Sequence, residues 1–126
     1  MNEPSAEFVE RMVHVDYQHT MAFVAVAGDG EAQRIIGVAR YACAPGSAGC
    51  EFAIAVADLW QSRGVGAALS QRLLDHARRQ GIHHLDARIL ATNHRMLGLA
   101  HELGFSTDTN PDEFDTLDAR LDLSPR

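Results

Sequence analysis

The sequence predicts an α+β (α/β layered) domain: a mixed, mostly antiparallel sheet flanked by helices. Three observations carry this. β-branched apolar runs separated by glycine turns fill the first half of the chain. An amphipathic stretch from Gly64 to Gln80 follows. A second apolar alternation, His84 to Leu90, comes directly after it and turns the middle of the chain into a strand–helix–strand crossover.

Taken in order, Phe8, Val9, Met12 and Val13 recur at helical spacing, and Ser5 is available to start the turn, so Pro4 to His14 is expected to be a short helix. Met21 to Ala27 and Arg34 to Cys43 read as a hairpin closed by Gly28-Asp29-Gly30. Ala44-Pro45-Gly46-Ser47 makes the next turn, and Cys50 to Ala57 is the third antiparallel strand. In the long helix Val65, Leu69, Leu73 and Ala77 recur every four residues, Arg78 and Arg79 suit the C-terminal dipole, and Gly81 stops it. After the strand His84 to Leu90, Thr92 or Asn93 caps a helix carrying Met96, Leu97, Leu99, Ala100 and Leu103 and ending at Gly104-Phe105. A strand after Phe105, an acidic turn at Asn110 to Glu113 and a last strand Thr116 to Leu123 complete the order α-β-β-β-α-β-α-β-β.

Composition bounds the function. A chain of 126 residues with 46% hydrophobic and 22% charged residues is expected to be one domain, residues 1–126, with an ordinary core. A net charge of -6 argues against a general nucleic-acid or anionic-membrane surface, and no stretch has the ~18 apolar residues of a membrane span. MNEPSAEF has neither the basic start nor the apolar run of an export signal, so a cytoplasmic location is expected. Cys43 and Cys50 are spaced neither as CxxC nor as part of a zinc site, and are read as two small buried thiols in a reducing compartment. Seven histidines form no metal pattern: His83 and His84 would point to opposite faces, His94 and His101 are seven apart, and HExxH is absent. No metal is expected.

The informative stretch is Gln61-Ser62-Arg63-Gly64-Val65-Gly66, at the start of the long helix. Glycines there expose backbone N–H groups to an anion, and Arg63 adds charge. A Walker loop fails because no lysine follows either glycine. A dinucleotide loop fails because Leu69 stands at its third glycine and hairpins precede it, although Asp86 lies where a ribose-binding acid would.

The stretch does fit the pyrophosphate loop of the GNAT acetyltransferase superfamily: Gln or Arg, two free positions, Gly, one free position, Gly or Ala. Asn93 with Met96, Leu97, Leu99, Leu103 and Gly104-Phe105 resembles that superfamily's fourth helix, and the likeness runs over about residues 21–123. Val15-Asp16-Tyr17, Glu51-Phe52-Ala53 and Trp60 to Gly64 further resemble the protein-lysine acetyltransferase domain fused to ADP-forming acyl-CoA synthetase-like proteins. The resemblance implies acetyl-CoA as co-substrate, lying where two strands splay. The backbone of Ile54, Ala55 and Val56 would meet the pantetheine. Gln61 and the amides of Arg63, Gly64, Val65, Gly66 and Ala67 would form the pyrophosphate loop, and Asn93 would bond the pantetheine or serve as a plain helix cap. It also implies that the chain lacks the usual first strand and helix, leaving a sheet edge that a homodimer or a partner would shield.

An amine acceptor, with a protein lysine favoured, needs its proton removed. Freeing an amine of pKa ~10.4 at neutral pH costs roughly 4.6 kcal/mol. Glu51 matches a glutamate with a general-base role in the resembling domains, and its apolar run is expected to bury it and raise its pKa; the competing reading is a solvated residue at a strand start. The usual thiolate-protonating tyrosine, seven residues after the asparagine, is Ala100 here. Trp60 reads as a packing residue under the loop, and Asp108, Asp112, Glu113 and Asp115 as a solvated turn or, beside the cleft, an attractor of a cationic substrate. A small-molecule amine acetyltransferase and a CoA-binding regulatory module are the alternatives.

Overall fold

The computed structural model describes residues 6–15, 18–28, 30–47, 49–61 and 63–123. Seven strands form one sheet: β1 (Ala6–Val15), β2 (Gln18–Ala27), β3 (Arg34–Cys43), β4 (Gly49–Val56), β5 (His84–Leu90), β6 (Ser106–Asn110) and β7 (Glu113–Asp122). Their order across the sheet is β1-β2-β3-β4-β5-β7-β6, with every neighbouring pair antiparallel except β4–β5. Helix α1 (Val65–Arg79) makes the crossover between that parallel pair, and α2 (His94–Leu103) joins β5 to β6. This is the expected mixed, mostly antiparallel sheet with flanking helices.

The first element is a correction. Ala6 to Val15 is a strand rather than a helix, and it pairs with β2 from Ala6↔Ala27 to Val15↔Gln18. Pro4 and Ser5, like Asp16 and Tyr17, lie outside the described residues. Phe8, Val9, Met12 and Val13 suit a helix by spacing, but ten consecutive partners on β2 satisfy more backbone groups than an isolated short helix can. The edge of β2 is therefore paired, and β1 becomes the end strand on that side of the sheet.

The cysteines are the second correction. Cys43 and Cys50 are joined as a disulfide, not held as two thiols. The β3–β4 register explains it: Ala42 stands opposite Glu51, so the next position out places Cys43 against Cys50, with Cα atoms 4.3 Å apart. The reducing compartment inferred from free thiols loses that support.

Alternation sorts the sheet into a covered and an uncovered face. Cys50 and Phe52 of β4, Leu85, Ala87 and Ile89 of β5, and Ala119 and Leu121 of β7 are buried in the core with Leu69, Leu73, Leu74 and Ala77 of α1. The intervening Glu51, Asp86, Arg88, Asp118 and Arg120 fall on the other face, where they are exposed or half-buried. Close packing of α1 on the sheet depends on Gly37, where a Cβ would come 2.9 Å from the Leu69 Cδ1.

Candidate active site

The site begins where β4 and β5 part. They pair at only three positions, Gly49↔His84, Cys50↔Leu85 and Glu51↔Asp86, whereas β4 stays paired with β3 as far as Val56. Beyond Glu51 the β5-facing edge of β4 is therefore unpaired, and its backbone groups at Ile54 to Val56 line a cleft of about 640 Å³. Gln61, Gly64, Gly66, Ala67, Asn93, Arg95 and Leu99 line the same cleft. The structure thus brings Ile54, Ala55, Val56, Gln61, Gly64, Gly66, Ala67 and Asn93 together from four segments.

At one end of this cleft α1 starts without a side-chain cap and without an acidic residue in its first turn. Its first N–H groups have no intrahelical partner, so this end of the helix dipole is open to an anion. Gly64 occupies the N-cap at φ 82, a conformation that L side chains rarely adopt. A Cβ at Gly66 would come within 3.3 Å of Leu99 on α2, so its missing side chain also lets the two helices approach. Val65 is buried in the core and contributes backbone alone to this end. Arg63 stacks over Trp60, 5.4 Å from the ring centroid, while Trp60 packs against the core.

Gln61 ties the loop to the strand. Its Nε2 donates to the Val56 carbonyl at 3.0 Å and to Asp58 at 3.2 Å, and its Oε1 accepts from Arg95 at the start of α2. Asn93 caps α2, its Oδ1 accepting from the Met96 N–H at 3.1 Å, which leaves its amide NH2 for the cleft. Sequence reasoning missed Arg95 and His94, which also line the cleft. A signal existed: a cation in the first turn of a helix opposes the dipole and is best retained where an anion sits nearby.

A second cleft, about 700 Å³, lies on the uncovered face and includes Glu51, Asp86, Arg88, Asp108, Asp118 and Arg120 in its lining. The two clefts share β4, one at Gly49 to Glu51 and the other at Ile54 to Val56. Glu51 is exposed, which corrects the expectation that its apolar run buries it. The run is apolar on both faces, but only the Cys50 and Phe52 face is covered by helices. Both arginines are engaged: Arg120 Nε donates to Asp86 Oδ1 at 2.6 Å, and Arg88 contacts Glu113 at 3.0 Å and Asp118 at 3.8 Å. No ion pair is found for Glu51 or Asp108 among the described residues, so the uncompensated charge in this cleft is negative.

Among the described residues no group of three or more His, Cys, Asp or Glu side chains could hold a metal, and no helix is long and apolar enough to cross a membrane. The model of the acetyltransferase (GNAT) family matches residues 2–105. The chain belongs to that family. An acetyltransferase of Pseudomonas aeruginosa is 34% identical over 123 residues, 98% of this chain, and the chain spans 66% of that relative's length. YncA of Salmonella typhimurium, solved with its cofactor acetyl-CoA, is 25% identical with a TM-score of 0.68, covering 85% of this chain and 66% of its own. The GNAT domain of PAT from S. lividans shares the fold at 23% identity and a TM-score of 0.70, over 86% of this chain and 64% of its own. Ala100, seven residues after Asn93 where the resemblance placed the family's usual tyrosine, is buried in the core at 1% exposure, and its methyl group is no proton donor.

Proposed function

We propose that this GNAT chain is an acetyl-CoA-dependent N-acetyltransferase that passes acetyl to a primary amine, with a protein lysine the favoured acceptor and Glu51 the general base. The observation that carries this reading is the parting of β4 from β5, with an uncapped helix start on one side and an acidic cleft on the other.

The pantetheine amides extend the hydrogen bonding of β4 along Ile54, Ala55 and Val56, as an added strand would. The pyrophosphate would meet the amides of residues 63–67, and Arg63 and Arg95 would add positive charge beside it. An ammonium is drawn to the acidic cleft and gives a proton to Glu51. The free amine attacks the thioester carbonyl, and the tetrahedral intermediate collapses with cleavage of the C–S bond, the second nitrogen proton passing to the departing thiolate so that amide and CoA thiol are formed. A thiol of pKa about 8.5 leaves without a dedicated acid at modest cost, which agrees with the buried Ala100.

Calorimetry with acetyl-CoA, followed by an acceptor screen reading thiol release, tests the reading. Release with a blocked lysine peptide supports a protein lysine. Release with free polyamines or amino acids alone moves the assignment to a small-molecule amine. Acetyl-CoA binding with no release from any amine points to a CoA-binding regulatory module.

A further inference from the structure

The sheet register sets three charged residues in one transverse row on the uncovered face. Glu51 of β4 faces Asp86 of β5, and Asp86 faces Arg120 of β7. All three line the 700 Å³ cleft. Register partners on adjacent strands are about 4.8 Å apart, and two carboxylates directly opposite one another destabilise a sheet. This like-charged pair occupies the last position before β4 and β5 separate.

The two carboxylates differ in their fastening. Asp86 Oδ1 accepts from Arg120 Nε at 2.6 Å, and its Oδ2 lies 2.9 Å from His84 Nδ1, with no hydrogen bond formed at that nitrogen. The His84 ring is seated over Gly49, where a Cβ would overlap it. Asp86 is thus held by Arg120 and lies against the His84 ring, yet its side chain is 40% exposed, and a carboxylate so placed still has lone pairs to offer. Glu51 has no ion pair among the described residues.

Resting on the acetyltransferase reading, we infer that Asp86 is a second acceptor-binding residue: it holds the incoming ammonium by a hydrogen bond and orients it, while the unfastened Glu51 takes the proton. The ammonium has three N–H donors. One goes to Asp86 and one to Glu51. The lone pair left when Glu51 removes its proton forms the new N–C bond as the C–S bond breaks. The departing thiolate takes the second proton that nitrogen loses, and the third stays on the amide. Asp86 stays tied to Arg120 through its Oδ1 and serves as an acceptor only. Binding an ammonium between the carboxylates also relieves their repulsion, so the destabilising pair is offset when the acceptor is in place. The site therefore selects a primary amine over a quaternary one, which carries equal charge and no donor.

The test uses the full chain with butylammonium and butyltrimethylammonium as probes, each titrated against backbone amide NMR signals, and acetyl-CoA calorimetry on every variant. Asp86→Asn is expected to weaken butylammonium binding roughly tenfold to a hundredfold, the range of a hydrogen bond to a charged group, with a smaller loss for butyltrimethylammonium. Acetyl-CoA affinity stays within about twofold, since Asp86 is outside that cleft. Asp86→Glu keeps the acceptor charge and restores part of the butylammonium affinity, which guards against a folding defect in the first variant. Equal weakening for both probes, unchanged butylammonium binding in Asp86→Asn, or no butylammonium binding by the unaltered chain overturns the inference. Thiol release is read separately: a chain that binds butylammonium through Asp86 but acetylates no amine refutes the transfer reading and leaves the binding role standing.

Discussion

Glu51 and Gly64 are the residues on which the proposed chemistry turns, and they fail in different ways when changed. Glu51→Gln removes a base and leaves the acetyl-CoA cleft intact, so turnover is expected to fall roughly 10²- to 10⁴-fold while acetyl-CoA affinity by calorimetry is retained. Unchanged turnover would sink the base assignment. Gly64→Val strains a backbone held at φ 82 at the uncapped start of α1, so it is expected to weaken acetyl-CoA at least tenfold, measured the same way. Gly64 was legible because a glycine pair before an amphipathic helix is a local signal, whereas Glu51 was singled out through the family resemblance and its apolar neighbours misled about its burial. Arg95 was less legible, since its link to Gln61 joins residues 34 apart through space. Asp86 was noticed in the sequence only as a dinucleotide-binding acid, because the strand register that sets it beside Glu51 is a property of the sheet.

At the scale of elements, α1 is the part whose sequence and structure agree most fully. Its apolar stripe is the stripe that is buried, and Leu69 and Leu73 are fully enclosed. Leu73→Ala is expected to cost about 2–5 kcal/mol, read from urea unfolding. The β3–β4 hairpin supplies a different kind of stability. Its Cys43–Cys50 disulfide closes a loop with a sequence separation of 7 and is expected to contribute roughly 2 kcal/mol. Thermal unfolding with and without a dithiol reductant should show a midpoint lowered by several degrees, and Cys43→Ser should show the same drop with no further effect of reductant. A midpoint indifferent to reductant would mean the bridge contributes nothing. The same hairpin shows why the thiol expectation failed: spacing in sequence does not reveal that two positions face each other across a ladder. β1 failed for a related reason, since its apolar spacing suits a helix and only its ten partners on β2 decide for a strand.

For the whole molecule, charge placement matters more than net charge. A net charge of -6 argues against a general nucleic-acid or anionic-membrane surface, yet it is unevenly placed: acids gather at the cleft on the uncovered face, while the uncapped start of α1 and Arg95 border the other cleft. On the proposed reading, raising the salt from about 0.05 to about 0.5 M should increase the KM of a cationic acceptor severalfold, because exposed charges are screened over a shorter Debye length. A neutral nucleophile assayed alongside should show little change, and an equal rise for both would refute steering by the acidic cleft.

The amino-acid sequence by itself determined the layered fold, both helices, the glycine-bearing start of α1 and the family resemblance. Those rest on local periodicity, turn chemistry and motifs within a few residues of one another. Only the tertiary structure decided the strand nature of Ala6–Val15, the disulfide, the exposure of Glu51 and the Glu51–Asp86–Arg120 row. Each of these depends on which strands become neighbours and in what register, and on which sheet face the helices cover. Those are consequences of the whole chain's packing and are not written in any short stretch of it.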